Sequence, residues 1–140
     1  MSVDPLNQAE YRAITPILNV KNVPALAEFY TKTFGFEALL VTKDEKGNGF
    51  GEFQCRDSRF MIAEEEPENM LLAPETLKGT AGSLYVYVND VDTFTASLKE
   101  KGVRIVQDLQ DMPWGDRCMV ALDPEGHSWM FATHKEDVEM

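Results

Sequence analysis

Two stretches decide the fold: Thr15-Pro16-Ile17-Leu18-Asn19-Val20-Lys21-Asn22-Val23 and Ser83-Leu84-Tyr85-Val86-Tyr87-Val88-Asn89-Asp90-Val91. A shift of 68 (83 minus 15) lays Thr15 on Ser83, Val20 on Val88, Asn22 on Asp90 and Val23 on Val91. Both stretches read as a strand followed by a helix cap. A repeat of that period marks one supersecondary unit used twice.

Working outward, each copy continues in the same order. In the first, Arg12–Val20 reads as a strand interrupted at Pro16, which cannot donate to a ladder and belongs at an edge. Asn22 caps a helix whose second position is Pro24. Leu26, Phe29, Tyr30 and Phe34 recur at helical spacing, and Gly35 supplies the left-handed stop. Strands are predicted over Phe36–Thr42, Phe50–Cys55 and Arg59–Ala63, with turns at Lys43–Gly49 and Arg56–Ser58.

In the second copy Ser83–Val88 is the strand. Asp90 caps a helix carrying Val91, Phe94 and Leu98, and Gly102 ends it. Strands follow near Arg104–Gln107, Arg117–Leu122 and His127–Thr133, the last two joined by the turn Asp123-Pro124-Glu125-Gly126. The expectation is a single α+β domain spanning residues 1–140. Module one covers about residues 11–64 and module two about 82–135. The stretch between them, 65–81, carries Pro67, Pro74 and Gly79 and reads as a linker. A lone βαβββ unit leaves one sheet face bare, so two units pair within or between chains.

Composition narrows the function. The 140 residues carry a formal net charge of −11, a field that repels phosphates and excludes nucleic acid as an expected partner. That field suits a cationic ligand, although acidic surfaces also serve solubility alone. No basic n-region with an apolar core opens the chain, and no apolar run approaches the ~18 residues of a membrane span. No membrane partner and a cytoplasmic location are expected. Cys55 and Cys118 lie in strand-like stretches without metal or redox spacing.

The run Asp111-Met112-Pro113-Trp114-Gly115-Asp116-Arg117, then Asp123-Pro124-Glu125-Gly126-His127-Ser128-Trp129 and Ala132-Thr133-His134, resembles the PhnB-like branch of the vicinal-oxygen-chelate superfamily. That superfamily takes in glyoxalases, bleomycin-resistance proteins and extradiol dioxygenases. Val23-Pro24, Glu28-Phe29-Tyr30 and Phe34-Gly35-Phe36 are similar to the opening of its fold. The resemblance spans about residues 11–135. It implies paired βαβββ modules curled around a concave pocket. In the enzymes it implies a divalent metal held by His or Gln on the first strand of a module and Glu on the last.

Carried residue by residue, those positions fall on Thr15, Ser83 and Met130, with Ile62 or Ala63 as the module-one counterpart of Met130. None is a competent ligand for a catalytic divalent ion, so no metal and no cofactor are expected. Glu64, expected to face the same way as Ile62, is the one carboxylate that could act as a base or partial ligand. The expected ligand-binding residues are Trp114, Arg117, Tyr85, Tyr87, Ser83, Thr15 and Met130. Trp114 offers a flat face from a loop, and Arg117 a bidentate fork, unless Arg117 instead pairs with Asp116 to fix the turn. His127 and His134 are expected in structural or surface roles. The expected function is metal-independent binding or sequestration of a small aromatic or cationic molecule by a homodimer. The alternative is a metal-dependent or carboxylate-based lyase, isomerase or dioxygenase of the glyoxalase type.

Overall fold

The computed structural model describes residues 14–139. Its elements run β1 (Ile17–Val20), α1 (Val23–Phe29), β2 (Glu37–Lys43), β3 (Gly49–Cys55) and β4 (Ser58–Glu64). After a short helix α2 (Pro74–Leu77) come β5 (Ser83–Tyr87), α3 (Val91–Glu100), β6 (Arg104–Asp111), β7 (Asp116–Leu122) and β8 (Ser128–His134). The two βαβββ modules are thus present. The expected start of the first strand at Arg12 lies outside the described residues, and the described strand begins only after Pro16.

Local chemistry sets the helix boundaries. The Asn22 side chain accepts from the backbone N–H of Ala25 at 3.0 Å, and Asp90 accepts from Thr93 at 3.1 Å. α1 loosens into a π-helical turn over Tyr30–Phe34 before Gly35 stops it at a φ of 80°. The stretch expected as linker holds a 3-10 turn at Pro67–Asn69 as well as α2. The Glu65 carboxylate binds it back by accepting from Ala73 N–H and the Thr76 hydroxyl.

Each module forms a four-stranded mixed sheet, ordered β1-β4-β3-β2 and β5-β8-β7-β6. The parallel contact is between the first and last strand of each module, β1 with β4 and β5 with β8. β1 and β5 are therefore sheet edges. The helix-bearing faces of both modules share one core. Trp129 of β8 meets Tyr30, Phe34, Phe36 and Phe60 of module one at ring-centroid distances of 5.2 to 5.5 Å. Phe131 meets Phe34 at 5.0 Å and Phe94 of α3 at 4.7 Å. Aromatic rings dominate this core, and their tilted and edge-on contacts fix how the modules sit.

Polar contacts lock the same junction. The turn Asp123–His127 docks on the β1–α1 corner. Glu125 accepts from Lys21 N–H and Asn22 N–H, both at 2.9 Å, and His127 Nε2 bonds the Asn19 carbonyl oxygen at 2.9 Å. His127 thus has the structural role expected of it. With both helix faces spent on the shared core, the opposite face of each sheet is left bare.

Candidate functional site

Strand alternation sorts the expected site residues between faces. In module two, Leu84, Val86, Met119, Ala121, Trp129 and Phe131 point to the core. Ser83, Tyr85 and Tyr87 therefore point to the bare face, together with their partners Ser128, Met130 and Ala132 in β8 and Asp116 and Cys118 in β7. Ser83 and Ser128 hydroxyls bond each other at 2.6 Å.

At one end of this face lies a polar network that sequence reading did not find. Tyr85 and Tyr87 donate their phenol protons to the same oxygen of Asp116, at 2.5 and 2.9 Å. The other Asp116 oxygen takes His134 Nδ1 at 2.7 Å, and His134 Nε2 reaches Asp137 at 2.7 Å. Trp114 Nε1 donates to the Tyr85 hydroxyl at 3.0 Å, and Cys118 Sγ lies 3.1 Å from that oxygen. Asp116 is only 2% exposed. Tyr85, Tyr87 and Trp114 stay 39%, 45% and 37% exposed, with the two tyrosine rings edge-on at 5.3 Å. The hydroxyls are pinned from below while the rings remain available.

Electrostatics follow from that wiring. Burial works to raise the Asp116 carboxyl, but the bonds from Tyr85, His134 and Tyr87 outweigh it and hold it below the usual carboxylate range. Burial first, then the bond to Asp116, pushes the Tyr85 phenol well above its ordinary value, and Asp116 raises Tyr87 as well. The phenols stay protonated. Asp116 first, and Asp137 second, hold His134 above its ordinary value of 6.5.

The segment after β8 also straps the loop that carries Trp114. Lys135 N–H and Glu136 N–H both donate to the Gly115 carbonyl, at 2.9 and 3.2 Å. Gly115 has a φ of 96°, and a Cβ there would collide with the Glu136 carbonyl oxygen. A cavity of about 470 Å³ runs along the free edge of β5, where Tyr85 and Tyr87 meet the β3–β4 turn with Cys55, Arg56 and Arg59.

The structure separates two expected residues from this face. Arg117 points to the helix side of β7, where its guanidinium bonds Asp92 at 2.8 Å and Asp111 at 3.1 Å. The anticipated Asp116–Arg117 pair does not form, because adjacent strand residues face opposite ways. Glu64 does face with Ile62, but that is the core side of β4: its carboxylate accepts from Gly49 N–H at 2.9 Å, beside Val23 at the start of α1. Thr15 lies just ahead of β1 in module one, half-buried.

The module-one counterpart of Met130 also needs correcting. Tyr85, which is Ile17 plus 68, pairs with Met130, and Ile17 pairs with Met61. Met61 plus 69 is 130, so the last strands are offset by one from the rest of the repeat. The β7–β8 turn, Asp123–His127, is longer than the β3–β4 turn, Arg56–Asp57, and shifts the register. Met61 is the counterpart of Met130; Ile62 faces the core, and Ala63 lies on the bare face one pair further along. Thr15, Ser83, Met61 and Met130 make two hydroxyls and two thioethers, a donor set that does not fit a divalent catalytic metal. Among the described residues no three His, Cys, Asp or Glu side chains are grouped to hold one. No helix among them is long and apolar enough to cross a membrane.

Known proteins show the same architecture. An uncharacterised protein of Mycobacterium bovis is 28% identical over 140 aligned positions, covering 91% of this chain and 87% of that protein. The crystal structure of TioX from Micromonospora sp. ML1 superposes with a TM-score of 0.64 at 28% identity, covering 86% of this chain and 98% of TioX. TnmS3, an antibiotic binding protein from Streptomyces sp. CB03234, superposes with a TM-score of 0.67 at 22% identity, covering 89% of this chain and all of TnmS3. A sequence profile matches residues 9–131, and the chain belongs to the Glyoxalase/Bleomycin resistance protein/Dioxygenase superfamily.

Proposed function

We propose that this protein binds and sequesters a flat aromatic small molecule without a metal, on the bare face of module two. The observation that carries the reading is a contrast between two sets of positions. The four that would hold a metal are Thr15, Ser83, Met61 and Met130, while Tyr85, Tyr87 and Trp114 are anchored by their polar atoms with their rings left open. Rigid aromatic surface binds flat ligands at low entropic cost. The fold shared with an antibiotic binding protein, a likeness of architecture, is consistent with this reading. The run Asp111–Arg117 supports placement in the PhnB-like branch, and we assign the protein to the cytoplasm.

We further assign a homodimer that completes the site. β1 and β5 are unpaired edges that expose Ile17, Tyr85 and Tyr87, and β2, the opposite edge of the module-one sheet, exposes Leu40 and Val41. Bare sheet edges with exposed apolar side chains are commonly covered. A second copy laying its module one beside module two would cover both. Replacing Ile17 by Lys should then shift the sedimentation mass from two chains to one.

The lyase, isomerase or dioxygenase reading has less support. Glu64, its proposed base, lies on the core side of β4, and the metal positions carry the wrong donors. The binding reading is tested by calorimetry of the full chain, purified without chelator, against flat aromatic antibiotics. Binding should be retained after exhaustive chelation and weakened at least ~tenfold by Trp114→Ala. Stoichiometric zinc, nickel, manganese or iron in the purified protein, or heat that vanishes on chelation, would overturn it.

A further inference from the structure

Two tyrosines share one carboxylate beneath the binding face, and that arrangement has a consequence for the charge of the ligand. A phenol that donates to an anion gains electron density in its ring, and the face of such a ring is already the negative end of its quadrupole. Tyr85 and Tyr87 both donate to Asp116 Oδ2, and both tyrosines stay exposed above it. A cation above an electron-rich ring is attracted, and more strongly where water is displaced.

The charges around Asp116 point the same way. His134 and Asp137 are the ionisable groups that continue the network beyond it, so the set of two carboxylates and one imidazolium carries net −1 when His134 is protonated and −2 when it is not. Each nearby arginine has an acidic neighbour. Arg59, in the adjoining cavity, faces Glu52 at 3.6 Å, and Arg56 shares its turn with Asp57. Arg117 is held by Asp92 and Asp111 on the other side of the sheet. The chain as a whole is at −11.

We propose that the Tyr85–Tyr87–Trp114 face selects planar cations over neutral or anionic planar molecules, and that Asp116 sets this preference through the two phenols without touching the ligand. The inference rests on the binding reading above and names the charge class of its ligand. Asp116 is a specificity-determining residue that acts through its neighbours. A purely structural Asp116 would weaken all planar ligands alike, so the ratio between matched ligands is the diagnostic quantity.

Three tricyclic probes of matched shape provide that ratio: proflavine as the cation, acridone as the neutral plane and acridone-4-carboxylate as the anion. Fluorescence titration of the full chain at pH 7.5 should give proflavine about tenfold tighter than acridone, with the carboxylate weakest. Asp116→Asn should bring the proflavine-to-acridone ratio close to one while acridone binding is kept. Tyr87→Phe, which keeps the ring and frees it from the carboxylate, should lower the same ratio if Asp116→Asn fails to fold. Glu100→Gln, which changes net charge equally at the exposed end of α3, should leave the ratio unchanged. Equal affinity for all three probes, or a preference for the carboxylate, overturns the charge selectivity but leaves the binding face standing. A uniform loss across the probes in Asp116→Asn, or a Glu100→Gln effect as large, removes Asp116 from the role. No binding of any probe overturns the binding reading and this inference together.

Discussion

The Tyr30 hydroxyl of α1 donates to Asp123 at 2.7 Å, joining the two modules across 93 residues of chain inside their common core. The same carboxylate oxygen takes Trp129 Nε1 at 3.0 Å, and the other takes the backbone N–H groups of Glu125 and His127. A buried carboxylate with four donors is well compensated. Burial first, and the Asp123 charge second, hold the Tyr30 phenol well above its ordinary value of 10, so the bond keeps its proton at any working pH.

Tyr30→Phe should therefore lower the unfolding free energy by ~1.5–3 kcal/mol, the usual range for a hydrogen bond to a charged group. Asp123→Ala should cost more, because it strands Tyr30, Trp129 and two turn amides together. Urea denaturation measures both. A Tyr30→Phe protein as stable as the parent would show that this bond does not hold the modules together.

Thr95 is the opposite case. It sits on the buried face of α3 at 1% exposure, and its hydroxyl has no hydrogen-bond partner among the described residues. A buried hydroxyl without a partner gives up hydration and gains nothing in return. Thr95→Val keeps the shape and removes the oxygen, so it should stabilise the protein by ~1 kcal/mol in the same assay. Destabilisation would mean that the hydroxyl finds a partner in solution.

Local signals carried most of the fold into the sequence. Asn22 and Asp90 cap their helices as residue type and spacing indicate, and Gly35 and Gly102 stop them with φ values of 80° and 78°. The π-helical turn at Tyr30–Phe34 was not legible, since the same apolar spacing fits either helix. The site was read only in part. Ser83, Tyr85 and Tyr87 share a face because alternation within one strand fixes parity, and Met130 joins them through the pairing of β5 with β8. Arg117 was read as a ligand fork without a face: it alternates with Asp116 and Cys118 in β7, and the pairing of β7 turns it to the helix side. The Asp116–His134 contact depends on the pairing of β7 with β8, a relation between strands that no local pattern encodes.

His134 gives the protein a measurable pH dependence. Its folded value is raised above 6.5 by Asp116 and Asp137, so its contribution to stability is complete below about pH 6.5 and is lost as pH rises through the folded value. Between pH 6 and 8 the parent should lose stability faster than His134→Gln, which cannot titrate. The NMR titration of the His134 ring should place its midpoint above that of a denatured control. Parallel stability curves, or a midpoint at or below 6.5, would sink this assignment.

Gly115 couples the strap after β8 to the aromatic face. Its carbonyl receives Lys135 and Glu136 N–H, its φ of 96° favours glycine, and a Cβ would strike backbone rather than a side chain that can move aside. Gly115→Ala should thus cost ~1–3 kcal/mol through backbone strain. It should also speed hydrogen exchange at the Lys135 and Glu136 amides selectively, while amides of β7 and β8 near Met119 and Phe131 exchange as before. Trp114 is the neighbour of Gly115, so the same substitution should weaken binding of a planar ligand even where the tyrosines are untouched. If the alanine variant kept its strap amides protected and bound planar ligands as the parent does, the strap would have no part in positioning Trp114, and the order of that ring would have to come from its bond to Tyr85 alone.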